Sequence, residues 1–216
     1  QTEPISMKAI VRKLNILTVY RPLSSEAAGL SLSTSAGDRF ILVNSNSPRG
    51  RQHFTIAHEL YHLFYDEAPR PHLCKTDGKS KEERQADMFA SALLMPFEGV
   101  LAMLPAQTVA EKEVTLPQIL RLEQYFGVSR STMLLRLKEL NLLTEGRYEE
   151  FSKLSPTRTA YEYGYDNALY RPGNEGLVIG DYGEKARALF EMERISEGHY
   201  NELLKLLRYD QSGDCD

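Results

Sequence analysis

Apolar and polar positions divide the chain into a short opening helix, a small β-region and a long helical remainder. Residues 5–14 place apolar side chains at 7, 10, 11 and 14, a helical spacing. Ile16 to Tyr20 is β-branched and aromatic and predicts a strand. Residues 29–34 alternate, Ser35 to Asp38 turns, and Arg39 to Asn44 returns, which predicts a hairpin. A polar loop through Pro48 then delivers the chain to a helix over about 52–65. Residues 68–80 read as a Pro-rich polar connection, followed by a helix over 81–95 that Pro96 ends. Residues 116–125 and 129–140 predict two helices around Phe126-Gly-Val128, with Ser129 as N-cap. Residues 153–174, rich in Tyr, Pro, Gly and Asn, read as mostly irregular. Leu177 to Ile179 predicts a short strand, and 183–193 and 196–207 a closing pair of amphipathic helices.

The expected fold is therefore α+β. A small N-terminal sheet leads into the two helices near 52–65 and 81–95, and a mostly helical half follows. A core over 1–105 and a helical region over 106–216 are expected to pack as one unit.

The chemistry concentrates in Phe54-Thr-Ile-Ala-His58-Glu59-Leu-Tyr-His62. On a helix, His58 and His62 stand one turn apart on one face, where both can reach one metal ion. Glu59 lies beside them, where a base would take a proton from metal-bound water. At about 100° per residue, Ile56, Leu60, Leu63 and Phe64 form an apolar stripe nearly opposite the histidines. A catalytic zinc wants a third protein ligand and one open position. Asp66, at i+4 from His62, would stack three donors along one helix and cannot complete a tetrahedral set. No His-x-x-Gly-x-x-His continuation exists, because positions 65 and 68 are Tyr and Ala. The best third donor is Glu83 on the second helix, with Glu82 its nearest rival. Asp87 then lies where it can accept the free N–H of a ligand histidine. His58 is the favoured partner, though spacing leaves His62 open.

Arg51-x-x-Phe54-Thr-Ile-Ala-His-Glu-Leu-x-His62 and Glu83-x-x-Ala-Asp87-x-Phe-Ala90-x-x-Leu-Leu-Met-Pro96 together resemble the ImmA/IrrE metallo-endopeptidases. These are gluzincin-type zinc peptidases. The resemblance implies Zn2+ held by His58, His62 and Glu83, with Glu59 as catalytic base. It also implies a cytoplasmic enzyme of narrow specificity, whose protein substrate is a transcriptional repressor encoded nearby. Tyr61 stands where many relatives carry a small residue, which bears on the cleft wall. Tyr161, Tyr163, Tyr165 and His199 are downstream candidates for holding the oxyanion, and the sequence does not choose among them. A strand of the 29–44 hairpin is expected to pair with an extended substrate.

Composition sharpens this picture. The chain has 216 residues, 26 Lys+Arg against 30 Asp+Glu, and a net charge of -4. Two cysteines, at 74 and 215, make no disulfide framework and suit a reducing compartment. That count and the lack of a signal-like start weigh against a secreted protease of broad specificity. No apolar run of about 18 residues predicts a membrane span. Residues 126–140 read like a helix-turn-helix, with Arg130, Arg136 and Lys138 on its second helix. Yet residues 111–150 hold six basic and seven acidic side chains, too little positive charge for phosphate-driven DNA binding. The segment is read as two helices packed through Leu120, Phe126, Val128, Leu134, Leu135 and Leu137. The alternative to an enzyme is a non-enzymatic regulator that binds DNA or a repressor through the helix-turn-helix-like residues 116–143 and keeps a structural metal. His53 reads as a surface residue. His72 or Cys74 capping the open metal position is the sharper alternative to a free thiol and an exposed histidine.

Overall fold

A computed structural model describes residues 3–66, 72–75 and 80–208. Helix α1 (Met7–Lys13) opens on Ser6, whose hydroxyl accepts from the Ala9 N–H at 3.4 Å. It leads to β1 (Leu17–Arg21) and the β2 (Ala27–Ser33)–β3 (Arg39–Asn44) hairpin. Next come α2 (Arg49–Tyr65), β4 (His72–Lys75) and α3 (Lys81–Leu94). The helical half runs through α4 (Phe97–Ala102), α5 (Ala106–Glu111), α6 (Leu116–Phe126), α7 (Arg130–Glu139), α8 (Glu145–Ser152) and α9 (Pro156–Glu162). A 3-10 turn (Ala168–Tyr170), β5 (Val178–Ile179), α10 (Tyr182–Glu191) and α11 (Glu197–Arg208) complete it.

The fold is α+β, and its sheet recruits more strands than the N-terminal three. Its order is β4-β2-β3-β1-β5. β1 runs parallel to β3, while β2–β3, β2–β4 and β1–β5 are antiparallel. The polar connection after α2 thus contains a strand, β4, and that strand already occupies the outer edge of β2. With β1 on the other side of β3, both hairpin strands are paired on both edges. The expected substrate pairing to the hairpin therefore has no open edge to use along these registers.

Helix α2 lies across the sheet, hemmed in on several sides. Thr55, Ile56, Ala57, His58, Glu59, Leu60 and His62 are all buried. Two glycines permit this close packing. A Cβ on Gly29 of β2 would meet Thr55 Cγ2 at 2.6 Å and the Leu42 carbonyl at 2.9 Å. A Cβ on Gly50 would meet the Ser129 nitrogen at 2.8 Å and the Val128 carbonyl carbon at 2.9 Å. So α2 touches β2 on one side and the α6–α7 turn on another. The apolar stripe is shorter than its spacing suggested: Ile56 and Leu60 are buried, whereas Phe64 is exposed under the Arg39 guanidinium, 4.4 Å from its ring centre.

One hydrophobic cluster joins Ile41 and Val43 of the sheet, Ile56 of α2, Leu94 of α3, and Ile119, Phe126 and Leu134 of α6–α7. Leu135 departs from the expected packing and is 49% exposed. Ser129 caps α7 as predicted, accepting from the Thr132 N–H at 3.3 Å. Arg130 does not face outward. It is 3% exposed and pairs through Nε with Glu123, which is fully buried. Its Nη2 donates to Thr159 Oγ1 at 3.0 Å, and the Tyr170 hydroxyl donates to Glu123 Oε2 at 2.7 Å. Burial pushes the Glu123 carboxyl up, against the pull of Arg130. These bonds show why 153–174 is less irregular than its composition suggests. α9 and the 3-10 turn are held by the Glu123–Arg130 pair, a contact remote in sequence.

His53 is a further correction, for it is half-buried and structural. The Met7 N–H donates to its Nε2 at 3.2 Å, and its Nδ1–H donates to the Gly127 carbonyl at 3.1 Å. Burial holds its pKa below the ordinary 6.5, the bonds to the Gly127 and Ile5 backbone oppose that shift, and the charge of Lys8 adds to it.

Two stability predictions follow from these buried groups. Arg130→Met strands the Glu123 carboxylate and should cost about 3–5 kcal/mol in urea unfolding, with much of the loss recovered in Glu123→Leu/Arg130→Met. For His53 the folded state favours the neutral ring. Its contribution is complete above the unfolded pKa of 6.5 and is lost as pH falls from there toward the lowered folded value. The stability gap between wild type and His53→Asn should therefore narrow as unfolding is repeated from neutral to acidic pH.

Candidate metal centre

Sequence order and helix packing bring three donors together. His58 and His62 sit one turn apart on α2, 3% and 5% exposed. α3 starts at Ser80, whose hydroxyl accepts from the Glu83 N–H at 3.2 Å. Glu82 and Glu83 occupy its first turn, where the helix dipole favours anions. Ala86 and Ala90, fully buried, let α3 lie closely along α2. His58 Nε2 is then 3.3 Å from Glu83 Oε2, and His62 Nε2 is 3.7 Å from Glu83 Oε1. Among the described residues, His58, His62 and Glu83 form a group able to hold a metal ion. Glu82, the rival donor, is exposed and stays with the Ser80 cap.

The outer faces of the two rings decide what the inner faces can do. His58 Nδ1 lies 2.9 Å from Asp87 Oδ1, and His62 Nδ1 lies 2.8 Å from Asp66 Oδ2. A carboxylate accepts, so each Nδ1 carries the proton and each Nε2 presents a lone pair. Those two Nε2 atoms are 3.1 Å apart, with the Glu83 oxygens beside them. Three acceptors that converge in this way call for a cation between them. Their separations of 3.1–3.7 Å suit donors spaced about 3.3 Å apart around an ion with bonds of about 2.0–2.1 Å. Burial opposes charge on His58, but the bond to Asp87 and the fields of Glu59, Asp87 and Glu83 outweigh it and raise its pKa. The same negative field would attract a metal ion.

Asp87 is thus placed on His58, the favoured partner. The role of Asp66 was not read from the sequence, although its i+4 spacing from His62 was the available signal. Too close along the helix to act as a third donor, it orients His62 instead. Glu59 is fully buried, and its Oε1 would lie 3.4 Å from a Cβ on Gly29. Tyr61 sets its ring edge-on to His62, 5.7 Å between centres, and stacks on Tyr65 at 5.2 Å. Its hydroxyl donates to Gln85 of α3 at 3.2 Å. The aromatic within the motif therefore braces the two helices and walls one side of the site.

Tyr161 and Tyr163 are exposed, as is His199 on α11. No hydrogen bond or ring contact among the described residues joins them, or Tyr165, to the histidine pair. His72 and Cys74 fall on β4, and their side chains lie outside the described residues, as does Cys215.

Asp87→Asn and Asp66→Asn should each weaken metal binding by about 10–100-fold, because the oriented imidazole loses its acceptor. Competition with a chromophoric chelator measures this, and the fold should survive because both carboxylates lie partly at the surface.

No curated protein matches the chain. A protein-family model, the IrrE N-terminal-like domain (Peptidase_M78), matches residues 11–138, which hold β1 to β4, α2, α3 and all three donors. The chain belongs to this family of metallopeptidase type.

Proposed function

We propose that the chain is a zinc-dependent endopeptidase that hydrolyses one peptide bond of a specific regulatory protein, a transcriptional repressor encoded nearby. The observation that carries this reading is the convergence of His58 Nε2, His62 Nε2 and Glu83 beside a buried Glu59. Three protein donors leave a fourth position for water, whereas a structural zinc site closes with four. When bound, zinc would lower the pKa of that water and polarise the scissile carbonyl.

The remaining work falls to the chain's own side chains. Glu59 accepts the water proton and delivers it to the leaving amine. Its burial excludes bulk water from that transfer. Asp66 and Asp87 keep both imidazoles in the Nδ1–H form, so that Nε2 is always the donor atom. Family membership supports peptide hydrolysis as the reaction class. That no helix among the described residues is long and apolar enough to cross a membrane fits the proposed cytoplasmic setting.

The cations that favoured the regulator alternative are engaged within the fold. Arg130 pairs with Glu123, Arg136 donates to the Met95 carbonyl at 3.0 Å and to Glu139 at 3.3 Å, and Lys138 pairs with Glu145 at 2.6 Å. This leaves the α6–α7 pair better suited to supporting α2 than to neutralising phosphates.

The zinc-loaded protein, incubated with the repressor encoded beside it, should yield one discrete cut. Glu59→Gln should retain metal and lose about 10²–10⁴-fold in cleavage rate. Undiminished cleavage by that variant would overturn the reading.

A further inference from the structure

A positively lined cavity lies at the other end of α2 from His58 and His62. It encloses about 440 Å³ between the N-terminal segment, the first two turns of α2 and the end of α6. That volume is within the range of small-molecule sites, about 300–1,000 Å³. Its floor is apolar: Tyr20, Ile56 and Phe126 line it and are each 1% exposed. Among the described residues that line it are Lys8 and Arg49 and no Asp or Glu, although the chain as a whole is acidic.

The two cations are held in place by a built network. Buried Gln52 donates to the carbonyls of Ser45, Ser47 and Gly173 at 3.1, 2.7 and 2.8 Å. Asn174 donates to Gln52 Oε1 at 2.7 Å and accepts from Lys8 Nζ at 2.9 Å. The Arg49 guanidinium lies over Gly173, where a Cβ would come within 2.5 Å of its Nε. Neither Lys8 nor Arg49 forms an ion pair with a described residue. Glu3, which precedes the cavity-lining Pro4, accepts from the Tyr125 hydroxyl at 3.3 Å. Burial and the neighbouring Arg49 both lower the pKa of Lys8, so the two cations repel each other. An anion between them would relieve that repulsion.

We propose that this cavity binds a small organic anion, its apolar body on the Tyr20–Ile56–Phe126 floor and its anionic head between Lys8 and Arg49. The ligand would join the N-terminal segment to α2, the helix that also carries His58 and His62.

Benzenesulfonate is a suitable probe, because sulfonate oxygens are poor zinc donors and the metal centre will not compete for it. Calorimetry on the full chain should show saturable binding, the same with or without metal. Inorganic sulfate, lacking the body, and methyl phenyl sulfone, lacking the charge, should each bind at least about tenfold more weakly. Lys8→Gln/Arg49→Gln should weaken benzenesulfonate by about tenfold or more, while Arg12→Gln, an exposed cation outside the cavity, should not. If the double variant unfolds, Arg49→Gln alone supplies the comparison. The proposal is overturned if benzenesulfonate does not saturate, if the cation variants bind it as wild type does, or if either control ligand binds equally well.

Discussion

Two imidazoles turned inward by two carboxylates are the constraint around which the centre of this molecule is arranged. With Asp66 and Asp87 accepting from the two Nδ1–H groups, the Nε2 lone pairs of His58 and His62 turn toward each other and toward Glu83. Such a cluster is unfavourable unless a cation or a proton sits within it. The fold supports it from several sides. The alanines of α3 set the inter-helix distance, Gly29 admits Glu59 against the sheet, and Gly50 seats the start of α2 on the α6–α7 turn. Each of these contacts fixes α2 more firmly, and the precision of the donor set rests on that rigidity.

The C-terminal helices contribute by a comparable device. Glu123 and Arg130 are fully or almost fully buried, and their partners Thr159 and Tyr170 come from short elements remote in sequence. Removing two charges from water is costly, and the pairing offsets that cost only with good geometry and further hydrogen bonds. Here those bonds come from α9 and the 3-10 turn, so the pair also orders that part of the chain. A helix-turn-helix outline has thereby become a buttress.

Much of the centre was legible in the sequence because helical spacing fixes local geometry. The His58–His62 face, the position of Glu83 near the start of the second helix and the relation of Asp87 to it all follow from spacing within single helices. What escaped the sequence depends on contacts between elements. β4 is four residues long and gains its place from the edge of β2. α4, α5 and α9 are each at most seven residues long and follow Pro96, Pro105 or begin at Pro156. Helices so short are marginal in isolation and are fixed by packing. His53 looked like a surface residue because its acceptor, the Gly127 carbonyl, is distant in sequence. Leu135 looked like core because helical pattern does not say how wide the buried face is.

β4 also changes the thermodynamics of the segment between the ligand-bearing helices. Without it, residues 66–80 would form one long excursion, and closing it would be charged against bringing Glu83 to the histidines. Pinned to β2 at its middle, the excursion divides into 66–71 and 76–80. Closure entropy grows only slowly with length, about 0.6 kcal/mol for each doubling, but a pinned midpoint also limits where α3 can begin. The sheet thereby meets part of the entropic cost of assembling the donors before any ion arrives. A polypeptide built this way gains its metal as a guest in a prepared seat, and chelation should leave that seat standing.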